Sequence, residues 1–275
     1  ATDDPSLIQN VCLLYHLVGG GTGDWDVPVG GMGAVSGALA ASAAGFGAEI
    51  VTGADVYTID PDGEVRYRHA GSPRRVGADH ILANVTPAVL AELLGEPAPE
   101  LAQGAQVKVN LMLRRLPRLR DESVPPEQAF GGTFHINETL TQLDGAYRCA
   151  ADGRVPDPLP CEIYCHSLTD PSILSDELRA AGAQTLTVFG LHAPHSLAVG
   201  DPDRMRDRLT SAVLNSLNSV LAEPIQDVLM EDAAGRLCIE AKTTVDLDRA
   251  LGMTAGNIFH GALTWPFVED DEPLE

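Results

Sequence analysis

The placement of glycine and alanine between Val27 and Ile59 constrains this chain more than any other feature. The stretch reads VPVGGMGAVSGALAASAAGFGAEIVTGADVYTI. Alanine and leucine lose little conformational freedom in a helix, so a helix is predicted after the Gly30-Gly31 turn, stopped by Gly45 and Gly47. Met32, Val35, Leu39 and Ala43 fall at three- and four-residue steps and give it one narrow apolar stripe. Glu49–Thr52 and Val56–Ile59 are rich in strand formers, with Gly53-Ala54-Asp55 between them. Glycines ahead of a helix can serve an anion, because the first-turn N–H groups are unpaired and the dipole is positive there. The spacing argues against a dinucleotide cradle. Gly31-Met-Gly33-Ala-Val-Ser-Gly37 has one residue too many between its second and third glycines, and Trp25–Val29 is too short and proline-broken to be the strand that should precede it. On the residues alone, a structural turn is the better reading.

At 275 residues the chain is long enough for one large domain or two small ones. A formal charge of −21 argues against binding nucleic acid or an anionic membrane, where a basic face is needed. Lysine occurs only at Lys108 and Lys242, which reads as codon bias rather than chemistry. No apolar run approaches the roughly 18–20 residues of a spanning helix. The N-terminus, ATDDPSL, lacks the basic and apolar regions of a signal peptide. The five cysteines are Cys12, Cys149, Cys161, Cys165 and Cys238. On a strand Cys161 and Cys165 would lie about 13 Å apart at ~3.3 Å per residue, too far to share a metal. Buried free thiols in a reducing, cytoplasmic compartment are the expectation.

Along the chain, Leu7–Val18 is apolar almost all round and is predicted to be a buried helix, with Tyr15 and His16 inside it. A glycine-rich loop carrying Trp25 leads into the opening motif. Beyond Ile59, Pro61-Asp62-Gly63 marks a turn, Glu64–Arg68 a return strand and Ala78–Ala83 a third. Pro87–Leu94 is predicted to be helical. Strands are expected at Val107–Arg115, Phe130–Ile136, Cys161–Leu168, Thr185–Leu191 and Arg236–Thr243. Helices are expected at Leu140–Ala150, Leu174–Ala181, Asp203–Leu221 and Ile225–Met230. Arg204, Arg206 and Arg208 crowd the start of the longest helix against the dipole preference, which calls for an acidic partner such as Asp201 or Asp203. The result is a mixed α/β chain, a small βαβ-type piece followed by a larger sheet covered by helices.

Direct tests for catalytic chemistry return little. There is no G-x-S-x-G elbow, H-E-x-x-H or P-loop. His192-Ala-Pro-His195 has a spacing some metals accept, but Pro194 forbids a regular helix and no acidic ligand adjoins it. No metal site is expected.

Two stretches carry a resemblance. PVGGMGAVSGALAASAAGFGAEIVTGADVYTI resembles the second FAD-contacting segment of phytoene (carotenoid) desaturase-like flavoproteins, within the amine oxidase superfamily. Leu251–Phe267, LGMTAGNIFHGALTWPF, resembles that family's late motif, in the form found in relatives named as pyridine nucleotide–disulfide oxidoreductase domain proteins. Asn84 in ADHILAN matches a strand-ending asparagine that precedes a Pro-initiated helix there. The resemblance implies that the backbone of Val56 contacts the adenine end of FAD, and that Gly30, Gly31 and Met32 lie near the flavin and the substrate cavity. It places Phe259, His260 and Trp265 near that cavity, with His260 a weak catalytic candidate; a ring hydrogen-bonded in a wall is an equal reading.

The resemblance also implies a layout. Residues 1–26 would be a substrate-cavity helix and loop, and 27–95 part of an FAD-binding, Rossmann-like domain. Residues 96–245 would be a substrate domain with a mixed or antiparallel sheet, and 246–275 a return toward the flavin. The family's opening strand–GxGxxG segment and its closing flavin-contacting segment are absent, so the chain is expected to be part of a longer flavoprotein, inactive alone and a weak binder of FAD. The intact parent would be an FAD-dependent oxidoreductase, a desaturase or dehydrogenase passing hydride from a small apolar substrate to flavin. Its electron acceptor is not specified by these residues. Homo-oligomers and a peripheral membrane contact are both compatible with them, although the charge favours no such contact. The alternative from another class is a non-catalytic binding or scaffolding module that kept the fold and lost the cofactor.

Overall fold

A computed structural model describes residues 28–99 and 102–260 of the chain. Helix α1 covers Met32–Gly45, and its end is closed by hydrogen bonds from the Gly47 and Ala48 N–H groups to the Ala44 and Ala43 carbonyls. Gly47 takes φ 87°, the left-handed value that lets the chain leave a helix. Glu49–Thr52, expected as a strand, is not one, and Ile50 and Val51 are exposed. A strand exists by its ladder, and among the described residues nothing pairs with this segment.

Strands β1 (Ala54–Asp60), β2 (Glu64–His69) and β3 (Ser72–Gly77) form an antiparallel meander in that order. The third strand was expected at Ala78–Ala83, which is irregular together with Asn84. The hairpin turn explains the difference. Ala70 and Gly71 both take positive φ, the two-residue geometry that matches strand twist, and this pairs Ser72 with His69 and commits 72–77 to the ladder. Every residue of β3 is exposed, and it carries Pro73, Arg74 and Arg75, as an edge strand does. Its position follows from the turn and not from an apolar pattern. Within the described residues this region is the helix and antiparallel meander that the Pro61-Asp62-Gly63 turn and return strand predict; the parallel pairing of a βαβ-type piece is not found there.

Helix α2 (Pro87–Leu94) begins with Thr86 as N-cap and proline at its first turn, and ends at Gly95 in the left-handed region. It packs against β1. The Thr86 hydroxyl lies 2.7 Å from that of Thr254 and ties α2 to the far end of the chain.

The larger sheet has five strands in the order β5-β6-β7-β4-β8, every neighbouring pair antiparallel. They are β4 (Gln106–Leu113), β5 (Phe134–Ile136), β6 (Cys161–Tyr164), β7 (Gln184–Leu191) and β8 (Ile239–Thr243). Three of the expected strands are trimmed by local helical turns or late pairing. Phe130 ends a turn at Pro126–Ala129, His166–Thr169 coils immediately after β6, and the regular ladder of β8 starts only at Ile239. Helices α3 (Leu140–Ala151), α4 (Pro202–Val220) and α5 (Thr244–Leu251) complete the region. The fold is mixed α/β with two antiparallel sheets. No helix among the described residues is long and apolar enough to cross a membrane.

Alternation along β4 decides which face is covered: Val107, Val109, Leu111 and Leu113 are buried, and the residues between them are half-buried. The buried side meets Leu209, Val213 and Leu217 of α4, one helical face at four-residue steps. Gly190 of β7 lies under that contact. A Cβ there would stand 2.7 Å from Leu159 Cδ2, 2.8 Å from Val107 Cγ1 and 3.2 Å from Val213 Cγ2, so a side chain at this position would have to push three packed side chains aside. The arginine-crowded start of α4 finds its acids. Asp201 caps the helix through the Arg204 N–H, and Arg206 pairs with Asp203 at 2.8 Å and with both oxygens of Asp246 on α5 at 2.5 and 3.0 Å. Burial would push the Asp246 carboxyl up, but bonds from Arg206 and from the Thr243 N–H and hydroxyl outweigh it and hold it at about 2.

Candidate functional site

The side of the five-stranded sheet opposite α4 is the candidate site. Lys108, Asn110 and Met112 project there from β4, with Thr185, Thr187 and Phe189 opposite them on β7. Across the sheet, Glu162 and Tyr164 stand opposite Phe189 and Thr187, and Glu240 stands opposite Asn110. Polar groups on this face are tied to one another. The Asn110 amide donates to Glu240 Oε2 at 3.0 Å and its carbonyl accepts from the Thr187 hydroxyl at 3.0 Å. Tyr164 is stacked on His166 with centroids 5.8 Å apart and meets Phe189 edge-on at 6.0 Å, while Lys108 Nζ lies 5.7 Å from the Phe189 ring centre. Between these groups lies a mostly apolar groove of about 440 Å³, with Asn110, Met112, His166, Ile173 and Thr187 among its walls.

The Gly30-Gly31 turn reaches the rim of this groove. Both glycines take positive φ, 88° and 74°. The Gly30 N–H donates to Asp170 Oδ2 at 2.7 Å, and the nearest atom to a Cβ on Gly31 would be Ile173 Cγ2 at 3.8 Å. Asp170 also accepts from the Ser172 N–H at 3.0 Å; bonds from Ser172 and Gly30 hold its carboxyl below the usual range. Ile173, a wall residue of the groove, is thus the nearest side chain to the space a Cβ on Gly31 would fill. Sequence reading connects neither Asp170 nor Ile173 to the turn, because 140 residues separate the hydrogen-bonded pair. Met32 opens α1 and is exposed, as are Val35 and Leu39; the predicted stripe covers nothing among the described residues.

Val56 lies on β1, away from the groove-lining strands. It pairs with Tyr67 but the next pair is Thr58 with Arg66, so Tyr57 is extra and the ladder is interrupted there. Such a bulge turns main-chain groups away from the sheet and recurs beside binding sites. Arg68 covers the Tyr57 ring at 4.7 Å. The late motif is placed by backbone contacts. Gly252, in the left-handed region, ends α5 beside Val89 of α2. Gly104 and Gly256 approach so closely that a Cβ on Gly104 would stand 2.3 Å from the Gly256 carbonyl. Asn257 is buried, donates to the Ala102 carbonyl at 3.0 Å, and accepts from the Phe259 N–H at 2.9 Å. Phe259 and His260 stand exposed on that anchored turn, His260 at φ 62°. Trp265, Leu7–Val18 and Trp25 lie outside the described residues. The late motif thus meets α2, and α2 meets β1; the Gly30-Gly31 turn lies beside Ile173, one wall residue of the groove.

The two histidines of His192-Ala-Pro-His195 have separate surroundings: His195 Nδ1 lies 3.1 Å from the Thr244 hydroxyl, and His192 packs edge-on to Tyr147, where burial lowers its pKa. Cys161 and Cys165 are buried free thiols, and burial pushes Cys161 up to about 12. A thiol held that far above neutral is not a nucleophile. The arrangement can bind and orient, with few groups poised for acid–base work.

No protein-family model matches the chain. Uncharacterized proteins of Mycobacterium tuberculosis and Mycobacterium bovis are 68% identical to it over 278 residues, covering 99% of this chain and 51% of each relative. Proteins named pyridine nucleotide-disulfide oxidoreductase domain-containing protein 2, from rat and mouse, are 27% and 28% identical over 277 residues, covering 92% of this chain and 45% of each relative. The chain spans about half the length of the curated relatives it matches.

Proposed function

We propose that this chain is the substrate-handling part of an FAD-dependent oxidoreductase that takes hydride from an apolar molecule. The observation that carries the reading is the apolar groove with the Gly30-Gly31 turn on its rim, joined through Ile173. The distant relatives named as oxidoreductase-domain proteins support the class of reaction. The residues present fit part of a flavin site. Two successive glycines at positive φ leave main-chain atoms bare, so a flat ring could approach the backbone as it could not past a Cβ. The interrupted ladder at Val56 offers main-chain groups for an adenine, in keeping with the resemblance. The phosphate-binding spacing is not found at Gly31–Gly37.

Flavin, when bound, supplies the two-electron chemistry, and the protein supplies binding, orientation and exclusion of water. In this chain Met112, Ile173 and the apolar wall would hold the substrate, and Asn110, Thr187 and His166 would fix its orientation. Asp170 holds the glycine turn through the Gly30 N–H. Phe259 and His260, which the resemblance puts near the cavity, do not line this groove; they stand on the turn anchored by Asn257, and their part in the reading rests on the resemblance alone.

The test uses the full-length protein. It is expected to purify with bound FAD and to show a flavin absorbance band. Gly31→Val, which adds a side chain at positive φ on the rim, is expected to lower flavin occupancy without unfolding the five-stranded sheet. A flavin-free full-length protein that takes up no added FAD overturns the reading and leaves the non-catalytic binding module in its place.

A further inference from the structure

We propose that His135, Glu138 and Glu162 form a binding site for a divalent transition-metal ion of the Zn²⁺ or Mn²⁺ class, clipping edge strand β5 to β6. Pairing of β5 with β6 sets His135 directly opposite Glu162, close enough for side chains on one face to meet. Asn137 then takes φ 60° and folds the chain back, so that Glu138 Oε2 lies 2.8 Å from His135 Nδ1. That backbone is rare for a residue with a side chain. It is held by the Asn137 amide, which donates to the Leu159 carbonyl at 3.2 Å and the Ser216 hydroxyl at 3.4 Å and accepts from the Gln142 amide at 3.3 Å.

One imidazole nitrogen and one oxygen from each carboxylate lie within 4.8 Å of one another. Around an ion with bonds of about 2.1 Å, neighbouring donors stand roughly 3.0–3.4 Å apart, so the His135–Glu138 pair, hydrogen-bonded at 2.8 Å, would exchange that bond for the ion with a small opening, and Glu162 would turn in to join them. The second observation is independent. Glu138 Oε1 is shut off from solvent and accepts no hydrogen bond, and it is the sole buried side-chain nitrogen or oxygen among the described residues in that position. Buried carboxylate oxygens are ordinarily satisfied, and a cation would satisfy this one.

The donor set selects the ion. Calcium and magnesium take all-oxygen shells, whereas one imidazole with two carboxylates suits zinc, manganese or iron(II). Tyr164, whose hydroxyl donates to Glu162 Oε2 at 3.3 Å, supplies the kind of outer partner that orients a ligand. His135 is half-exposed, which leaves a coordination position open to the sheet's uncovered side.

The test strips the full-length protein with chelator and titrates it with ZnCl₂ and, separately, MnCl₂ by calorimetry, alongside His135→Gln and Glu162→Gln. One high-affinity ion is expected in the wild type, weakened more than roughly tenfold in each variant. The ion should raise the melting temperature of the wild type and not of the variants. X-ray absorption at the zinc edge should show nitrogen and oxygen donors without sulfur, and this measurement on the wild type decides the matter if either variant fails to fold. Absence of stoichiometric uptake, equal uptake by all three proteins, or sulfur in the shell overturns the proposal.

Discussion

Helices α1 and α4 make opposite use of apolar residues. Helix α1, MGAVSGALAASAAG, has almost no polar side, yet not one of its residues is buried among the described residues. Helix α4, PDRMRDRLTSAVLNSLNSV, is crowded with charge at its start, yet carries Leu209, Val213 and Leu217 into the core. The difference lies in the pattern. Residues at four-residue steps give α4 one face, and the alternating β4 and β7 offer a matching surface. A helix apolar on nearly all sides has no preferred side to present, and the tie near its start is made by the turn before it, where the Gly30 N–H donates to Asp170. Apolar content alone does not say where a helix packs.

Substitutions can break this comparison. The largest effect is expected at Leu217→Ala, which empties a fully buried site between α4 and the sheet and should cost about 2–5 kcal/mol in urea denaturation. A loss under 1 kcal/mol would mean that α4 is not the core helix. Gly190→Ala places a methyl group against Leu159 and Val107 and should cost about 1–3 kcal/mol, read from the same melts.

Asp246→Asn removes the ion pair that fastens the start of α4 to α5 and weakens the α5 cap, for a loss of order 1 kcal/mol at neutral pH. The sign with pH follows from its lowered pKa. A carboxyl held at about 2 against an ordinary 3.8 stabilises the fold fully above the unfolded value, and the contribution disappears as pH falls through the folded one. The gap between wild type and variant should therefore close between about pH 4 and pH 2, measured as melting temperature against pH. A gap that persists at the acid end would assign the loss to packing. The smallest effect is expected on α1: Leu39, 67% exposed, should change stability by less than about 0.5 kcal/mol when replaced by alanine. A larger loss would show that α1 is packed after all.

Legibility divides along similar lines. Thr86-Pro87 and Gly95 bracket α2 as the sequence predicts, because caps and breakers act over a few residues. The alternation of β4 and β7 and the span of α4 were equally readable. Glu49–Thr52 and Ala78–Ala83 were not, since a strand requires a partner and only the hairpin turn at Ala70-Gly71 settled which residues would pair. At the candidate site the Gly30-Gly31 turn stands out in the sequence, but its neighbours Asp170 and Ile173 do not. His135 and Glu138 sit three apart, a spacing easily passed over, and Glu162 was hidden inside a run read for its cysteines.

The sequence by itself determined the local elements: where many of the helices begin and end, and which strands have one buried face. These follow from backbone preferences and side-chain periodicity, which need no distant partner. Only the tertiary structure decided that the glycine turn borders an apolar groove, that α1 lies exposed among the described residues, and that His135, Glu138 and Glu162 converge. Each depends on which distant residues are brought together — the last on the pairing of β5 with β6 and the backbone angle at Asn137 — and that is not written in any short stretch of residues.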